Sequence, residues 1–175
     1  MGEPRERRLP LGVWSTAAVF TIAAVLGTLA SSPIPLLVWN ATPSSPIGLY
    51  RVLPARRLRT GDMVIAWPPA TARRLAATRH YVPAGVPLVK RVGAVAGDRV
   101  CATGRRISLN GVPVAVRQAR DPSQRPLPWW SGCRLLGGGD VFLLSADSPR
   151  AFDGRYFGVT HSSDVVGEAA LLWPA

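Results

Sequence analysis

A chain of 175 residues is enough for one domain plus a short appendage. Its 21 basic against 10 acidic side chains give a formal net charge of +11, a balance that points to an anionic partner such as nucleic acid, lipid headgroups or an acidic substrate. The arginines fall in scattered pairs (Arg56-Arg57, Arg73-Arg74, Arg105-Arg106) without any nucleic-acid motif, so a solvated basic surface is the better reading and no nucleic-acid partner is expected.

Residues 9–50 carry no charged side chain. Within them "VWSTAAVFTIAAVLGTLA", residues 13–30, would span roughly 27 Å as a helix, close to one bilayer core. Arg5, Arg7 and Arg8 precede it, which puts the amino terminus in the cytoplasm. The small residues of "TLASS" also suit a cleaved signal peptide. The length of the apolar run and its continuation through "IPLLVW" favour an uncleaved anchor. The expected organisation is a cytoplasmic segment 1–10, a transmembrane anchor 11–34 and an exported domain 35–175.

After the anchor come short extended pieces: residues 47–53, 63–67, 87–95, 106–116, 140–146 and 165–173. Asn110-Gly111 sits between alternating segments, a strong hairpin signal. Gly61-Asp62, Gly97-Asp98 and Gly139-Asp140 each introduce an apolar run, as turns do. Residues 70–80 read as the one soluble helix, and the proline- and glycine-rich stretch 117–139 reads as a long loop. The fold class that results is mainly β and antiparallel. Cys101 and Cys133 are the whole cysteine supply, with a disulfide open to them in an oxidising compartment. The cysteines and the two histidines lack metal-site spacing, so no metal is expected.

Three segments carry candidate chemistry. "NATPSSPIGLY", residues 40–50, sets Thr42, Ser44 and Ser45 between prolines that stiffen the backbone. It reads either as a nucleophile turn or as a plain linker leaving the membrane. "VPLVKRVGAVAGD", residues 86–98, holds Lys90, the only lysine among 21 basic residues. On a strand Lys90 shares its apolar face with Leu88 and Val92, where burial lowers an amine's pKa towards that of a general base. The alternative is a lysine snorkelling from a strand edge. "SADSPRAFDGRYFG", residues 145–158, brackets a turn with Asp147 and Asp153 beside Arg150 and Arg155, which is either a brace for the site or a surface ion pair.

In this order the segments resemble the type I signal peptidase (S26) superfamily, and within it the conjugative-transfer (TraF-type) signal peptidases. The residues that carry the resemblance are Asn40-x-Thr42-x-Ser44-x-Pro46-x-Gly48-Leu49-Tyr50, then "VKRVGAVAGD", then "FDGRYFG". It implies a signal-peptidase-like β domain behind one transmembrane helix, and a serine–lysine dyad with Ser44 as nucleophile and Lys90 as general base. It further implies Thr42 and the Ser44 N–H as oxyanion donors, Asp153 as the acidic residue of the last motif, and Arg155 and Asp147 in support. No cofactor is implied. The partners implied are membrane lipid and an exported precursor, a conjugative pilin precursor above all, cleaved at the periplasmic side of the inner membrane. Relatives often have a serine two residues before that aspartate, where this chain has Ala151. The rival readings are a housekeeping signal peptidase, an anchored β domain that binds without cutting, and a basic nucleic-acid binder.

Overall fold

The computed structural model describes residues 11–30 and 35–175. The expected cytoplasmic segment 1–10 and the last four residues of the expected anchor, 31–34, lie outside the described residues. The chain divides into two units at Ile34/Pro35. In the first, Leu11–Ala30 forms a 20-residue helix, α1. Among the described residues no helix is long and apolar enough to cross a membrane, so the transmembrane span remains an expectation of the sequence.

The second unit, Pro35–Ala175, is built from strands. In chain order they are β1 (Leu37–Asn40), β2 (Gly48–Leu53), β3 (Met63–Ala66), β4 (Leu88–Ala94), β5 (Arg99–Thr103), β6 (Arg106–Leu109) and β7 (Val112–Val116). They continue with β8 (Gly132–Leu135), β9 (Asp140–Leu143), β10 (Thr160–His161) and β11 (Val165–Pro174). Helix α2 (Ala70–Thr78) links β3 to β4, and the single turn α3 (Gly154–Phe157) lies between β9 and β10. The main sheet has seven strands in the order β1-β2-β11-β3-β4-β9-β10, and a smaller one has four in the order β7-β6-β5-β8. All the strand pairs are antiparallel.

One turn recurs three times. Asp62, Asp98 and Asp140 each accept a hydrogen bond from the backbone N–H three residues back, on Arg59, Val95 and Gly137. The glycine before each aspartate takes a positive φ, between 87° and 101°, a conformation that costs glycine little. These turns start β3, β5 and β9, so Gly-Asp works here as a strand-start signal. At the β6–β7 hairpin Asn110 and Gly111 both have positive φ, the two-residue geometry that matches strand twist.

β4 runs through the middle of the main sheet, and of its seven residues only Arg91 is exposed. Val92 packs with Val64, Ala66, Val141 and Leu143, while Val89 joins Val38, Tyr50 and Ile65. A third cluster fills the space between the small sheet and β9, around Val100, Ile107 and Phe142. The lysine on β4 is thereby carried into the interior.

Sequence pattern missed four strands. β5 starts on Arg99 and is too short and mixed to stand out, and β10 has two residues. β8 lies inside the stretch read as a loop, 117–139; its residues are all exposed, so no alternation marks them. β1 lies in "IPLLVW", read as a continuation of the anchor; its paired register with β2 shows that Leu37–Asn40 belongs to the β unit. Helix α2 also ends two residues early, at Thr78, and His80 has a positive φ.

Cys101 and Cys133 stand opposite each other on β5 and β8 and are joined by a disulfide across 32 residues of sequence. Replacing both by serine is expected to lower the unfolding free energy by about 3–4 kcal/mol, the loop-closure entropy for a loop of that length. Urea unfolding of the variant, beside the wild type with and without a reductant, measures it.

Candidate functional site

The tight link between β1 and β2 presents Ser44. It is held from below by Asn40, 6% exposed at the end of β1. The Asn40 amide nitrogen donates to the carbonyls of Thr42, Ser45 and Pro46 at 3.0, 3.1 and 3.0 Å. Its oxygen accepts from the Thr42 N–H at 3.2 Å and the Thr42 hydroxyl at 3.0 Å. Exchanging the two amide atoms would set an oxygen against three carbonyl oxygens, so the chemistry fixes the orientation. The Tyr50 hydroxyl also donates to the Pro46 carbonyl, at 2.8 Å. Gly48 closes the turn with φ +151°, and a Cβ there would overlap the Trp173 carbonyl oxygen.

Two adjacent contacts join this turn to β4. The Ser45 hydroxyl donates to the Val89 carbonyl at 2.9 Å, and Lys90 Nζ donates to Ser44 Oγ at 2.6 Å. Lys90 is 3% exposed. Burial lowers its amine from an ordinary 10.5 to about 8; the Asp153 carboxylate pulls it back up, and the Arg155 guanidinium pushes it further down. Thr42 Oγ1 lies 3.1 Å from Ser44 Oγ on the other side. Because the Thr42 hydroxyl hydrogen goes to Asn40, Ser44 is the donor in that contact. A donor chain therefore runs Lys90, Ser44, Thr42, Asn40. Proton transfer from Ser44 to a neutral Lys90 requires the Ser44 hydroxyl to turn from Thr42 towards the amine.

Asp153 and Arg155 form a fully interior pair, 0% and 1% exposed. Asp153 accepts from Arg155 at both carboxylate oxygens and from the Arg155 and Ser145 backbone N–H groups. Its acceptors are thus occupied, and it acts on Lys90 through charge rather than through a hydrogen bond. Arg155 also donates to the carbonyls of Ser145 and Ser148, at 2.9 and 2.6 Å. Asp147 is exposed on the same turn, at the rim of a recess shared with Ser44 and Ser145, and takes no part in the buried pair. Ala151 is 2% exposed and lines the cleft beside Lys90.

In front of Ser44 and Lys90 lies a cleft of about 760 Å³. Leu88, Val82, Ala151 and Phe152 give it apolar walls, and Arg79, Arg120, Arg125 and Arg150 line it as well. A wall of the cleft is held by Asp121, which accepts from the Tyr81 hydroxyl and from Arg125. These bonds keep the Asp121 carboxyl at about 2 despite the opposing effect of its desolvation. Chemically, a buried amine with its pKa lowered to about 8, hydrogen-bonded to a hydroxyl at the wall of an open cleft, suits activation of an oxygen nucleophile.

Of the residues singled out from sequence, Thr42, Ser44 and Lys90 meet at hydrogen-bond distance, and Asp153 pairs with Arg155. Asn40 and Ser145 received no role from the sequence. Asn40 ends an apolar run just before Thr-Pro, where an asparagine side chain bonds its own backbone. Ser145 follows Leu143 at strand spacing, a polar residue on a core-facing row. Trp130 is half-buried and its N–H donates to the Gly154 carbonyl, while Trp129 is 45% exposed with the buried Arg117 guanidinium stacked 3.8 Å from its ring centre. Trp39 is 53% exposed.

A family model described as signal peptidase, peptidase S26, matches residues 11–174. A probable conjugal transfer protein TraF of Sinorhizobium fredii (strain NBRC 101917 / NGR234) is 38% identical over 162 residues, 87% of this chain and 84% of that protein. A plasmid transfer protein TraF of Escherichia coli is 36% identical over 137 residues, 73% of this chain and 77% of that protein. A crystallised signal peptidase I of Enterococcus faecalis V583 overlays with a TM-score of 0.37 at 20% identity, over 65% of this chain and 97% of its own, too loose to add to the sequence matches.

The buried amine has a consequence for stability. Between about pH 8 and 10.5 the unfolded chain keeps the Lys90 proton that the folded chain has lost, so stability rises with pH across that window. Below it both states are protonated, and the folded state bears the full penalty of about 3 kcal/mol, at 1.36 kcal/mol per pH unit. Lys90→Met is therefore expected to be more stable than the wild type by about that amount at pH 7. The advantage fades as the pH approaches 10.5, and denaturant unfolding at pH 7, 9 and 10.5 measures it.

Proposed function

The chain belongs to the S26 signal peptidase family, and on that premise we propose that it is a membrane-anchored serine endopeptidase whose Ser44–Lys90 dyad cleaves exported precursor proteins. The observation that carries the reading is the 2.6 Å contact between Lys90 Nζ and Ser44 Oγ with the lysine buried. Similarity to TraF proteins supports a role in conjugation, and with it a pilin precursor as the substrate.

Neutral Lys90 takes the hydroxyl proton of Ser44 as Oγ attacks a backbone carbonyl of the substrate. The C–O bond forms, and the carbonyl electron pair moves onto oxygen. The Ser44 N–H and the Thr42 hydroxyl are the donors for that oxyanion; Thr42 must release Asn40 to serve. Lys90 then protonates the leaving amine as the C–N bond breaks. Water, deprotonated by the same amine, opens the acyl-enzyme and returns Ser44 to its starting state.

The Leu88, Val82 and Ala151 walls of the cleft suit the small residues before a signal-peptide cleavage site. Anchoring by segment 11–34 would put residues 35–175 on the periplasmic side of the inner membrane. Support for lipid contact comes from the β1 edge of the main sheet. Trp39 and Trp173 both stand opposite Leu49 in the register, and Leu36, Leu37, Leu172 and both tryptophans are exposed. Tryptophan is favoured at headgroup level.

Co-expression with a pilin precursor encoded beside this chain, with the product weighed by mass spectrometry, tests the proposal. The wild type is expected to cut at one site, while Ser44→Ala and Lys90→Arg lose cleavage by a factor on the order of 10²–10⁴. Because only the neutral amine can accept the proton, kcat/KM is expected to rise with pH through about 8. Cleavage that survives Lys90→Arg would remove lysine as the base. A wild type that binds the precursor without cutting it would leave the binding-module reading.

A further inference from the structure

The amine of Lys90 and the hydroxyl of Ser145 each lack something the other has. An ammonium has three N–H donors and a neutral amine two, yet Lys90, 3% exposed, has Ser44 Oγ as its hydrogen-bond partner. Ser145 Oγ is buried and has no partner at all. A buried hydroxyl left unpaired costs free energy, and the strand register says why this one is where it is. Val92 pairs with Leu143, and the Leu144 N–H donates to the Arg91 carbonyl at 2.9 Å. Continued by one step, that register sets Ser145 opposite Lys90 as a non-hydrogen-bonded pair, the kind whose side chains come closest.

In such a pair the backbone N–H and C=O point away from the partner strand. Both groups of Ser145 do, and both are taken by the buried ion pair: the N–H by Asp153 at 2.9 Å, the carbonyl by Arg155 at 2.9 Å. We propose that Ser145 is a positioning residue for Lys90, its hydroxyl accepting an N–H of the amine, and that the Asp153–Arg155 pair exists to hold Ser145 there. This rests on the reading of Lys90 as the base. With one N–H fixed on Ser145, the nitrogen lone pair stays aimed at Ser44 in the neutral state, and the same contact holds the ammonium while it waits to protonate the leaving amine.

The charged groups that act on the Lys90 amine are Asp153 and Arg155, and neither is altered in Ser145→Ala. Lys90 is the chain's only lysine, so full-length protein grown on ¹³C-lysine gives one side-chain resonance whose titration reads this amine alone. In Ser145→Ala the ammonium loses an acceptor, and the midpoint is expected to fall by about one pH unit. In the precursor assay kcat is expected to fall about tenfold with KM unchanged. If Ser145 only fills space, deleting an unpaired hydroxyl leaves the midpoint where it was and raises the melting temperature; that result overturns the proposal. A moved midpoint with wild-type kcat overturns the positioning role as well. Should the wild type cut no precursor while the midpoint still moves, the peptidase reading fails and the Ser145–Lys90 contact stands.

Discussion

A lysine amine held 2.6 Å from a serine hydroxyl and almost sealed from water makes demands on every element around it. Such an amine is unfavourable as a charged group, so the surrounding core must be stable enough to bear it. β4 meets that demand by lying inside the main sheet, between β3 and β9, with apolar clusters on both of its faces. The serine must come from elsewhere in the chain and stop at the right height. That is the work of the Asn40-centred turn, tied to β4 one residue away through Ser45 and Val89. A displacement of either partner by an ångström would break the contact, which explains why so many hydrogen bonds converge on seven residues of linker.

The buried Asp153–Arg155 pair is the second consequence. Two charges removed from water are stabilising only when their remaining donors and acceptors are satisfied, and here the partners include the backbone of Ser145 and Ser148. The pair thereby converts a turn after β9 into a fixed wall behind Lys90. It also sets the amine's electrostatics, with carboxylate and guanidinium opposing each other on the same nitrogen. Burial is the larger influence on that nitrogen and lowers its pKa to about 8, with the two charges acting on it in opposite directions.

Much of this was legible before any coordinates. A single lysine in an arginine-rich chain, set on an apolar strand face, is a physical statement about deprotonation. Thr42-x-Ser44 between prolines marks a stiff turn, and the Gly-Asp pairs mark three strand starts. What the sequence could not give was the pairing of distant pieces. β8 is wholly exposed and β10 has two residues, so neither leaves a periodic trace, and β1 is disguised by the apolar run before it. Asn40 and Ser145 act through partners fixed by tertiary register. Arg117, counted with a solvated basic surface, turns out to be buried; a charge count carries no information on which guanidinium finds carbonyl partners, whereas the Asp153–Arg155 pairing was readable from the spacing of the last motif.

The central claim is that a neutral Lys90 activates Ser44, and it can be tested without knowing the substrate. The measurement is the rate at which a small serine-directed acylating reagent modifies Ser44, followed by intact-protein mass spectrometry from pH 6 to 10 in the wild type and in Lys90→Arg. The expected result is a rate that climbs through a midpoint near 8 in the wild type and is flat and slow in the variant. Equal rates in the two proteins, or a wild-type midpoint near the 10.5 of an ordinary lysine, would contradict it.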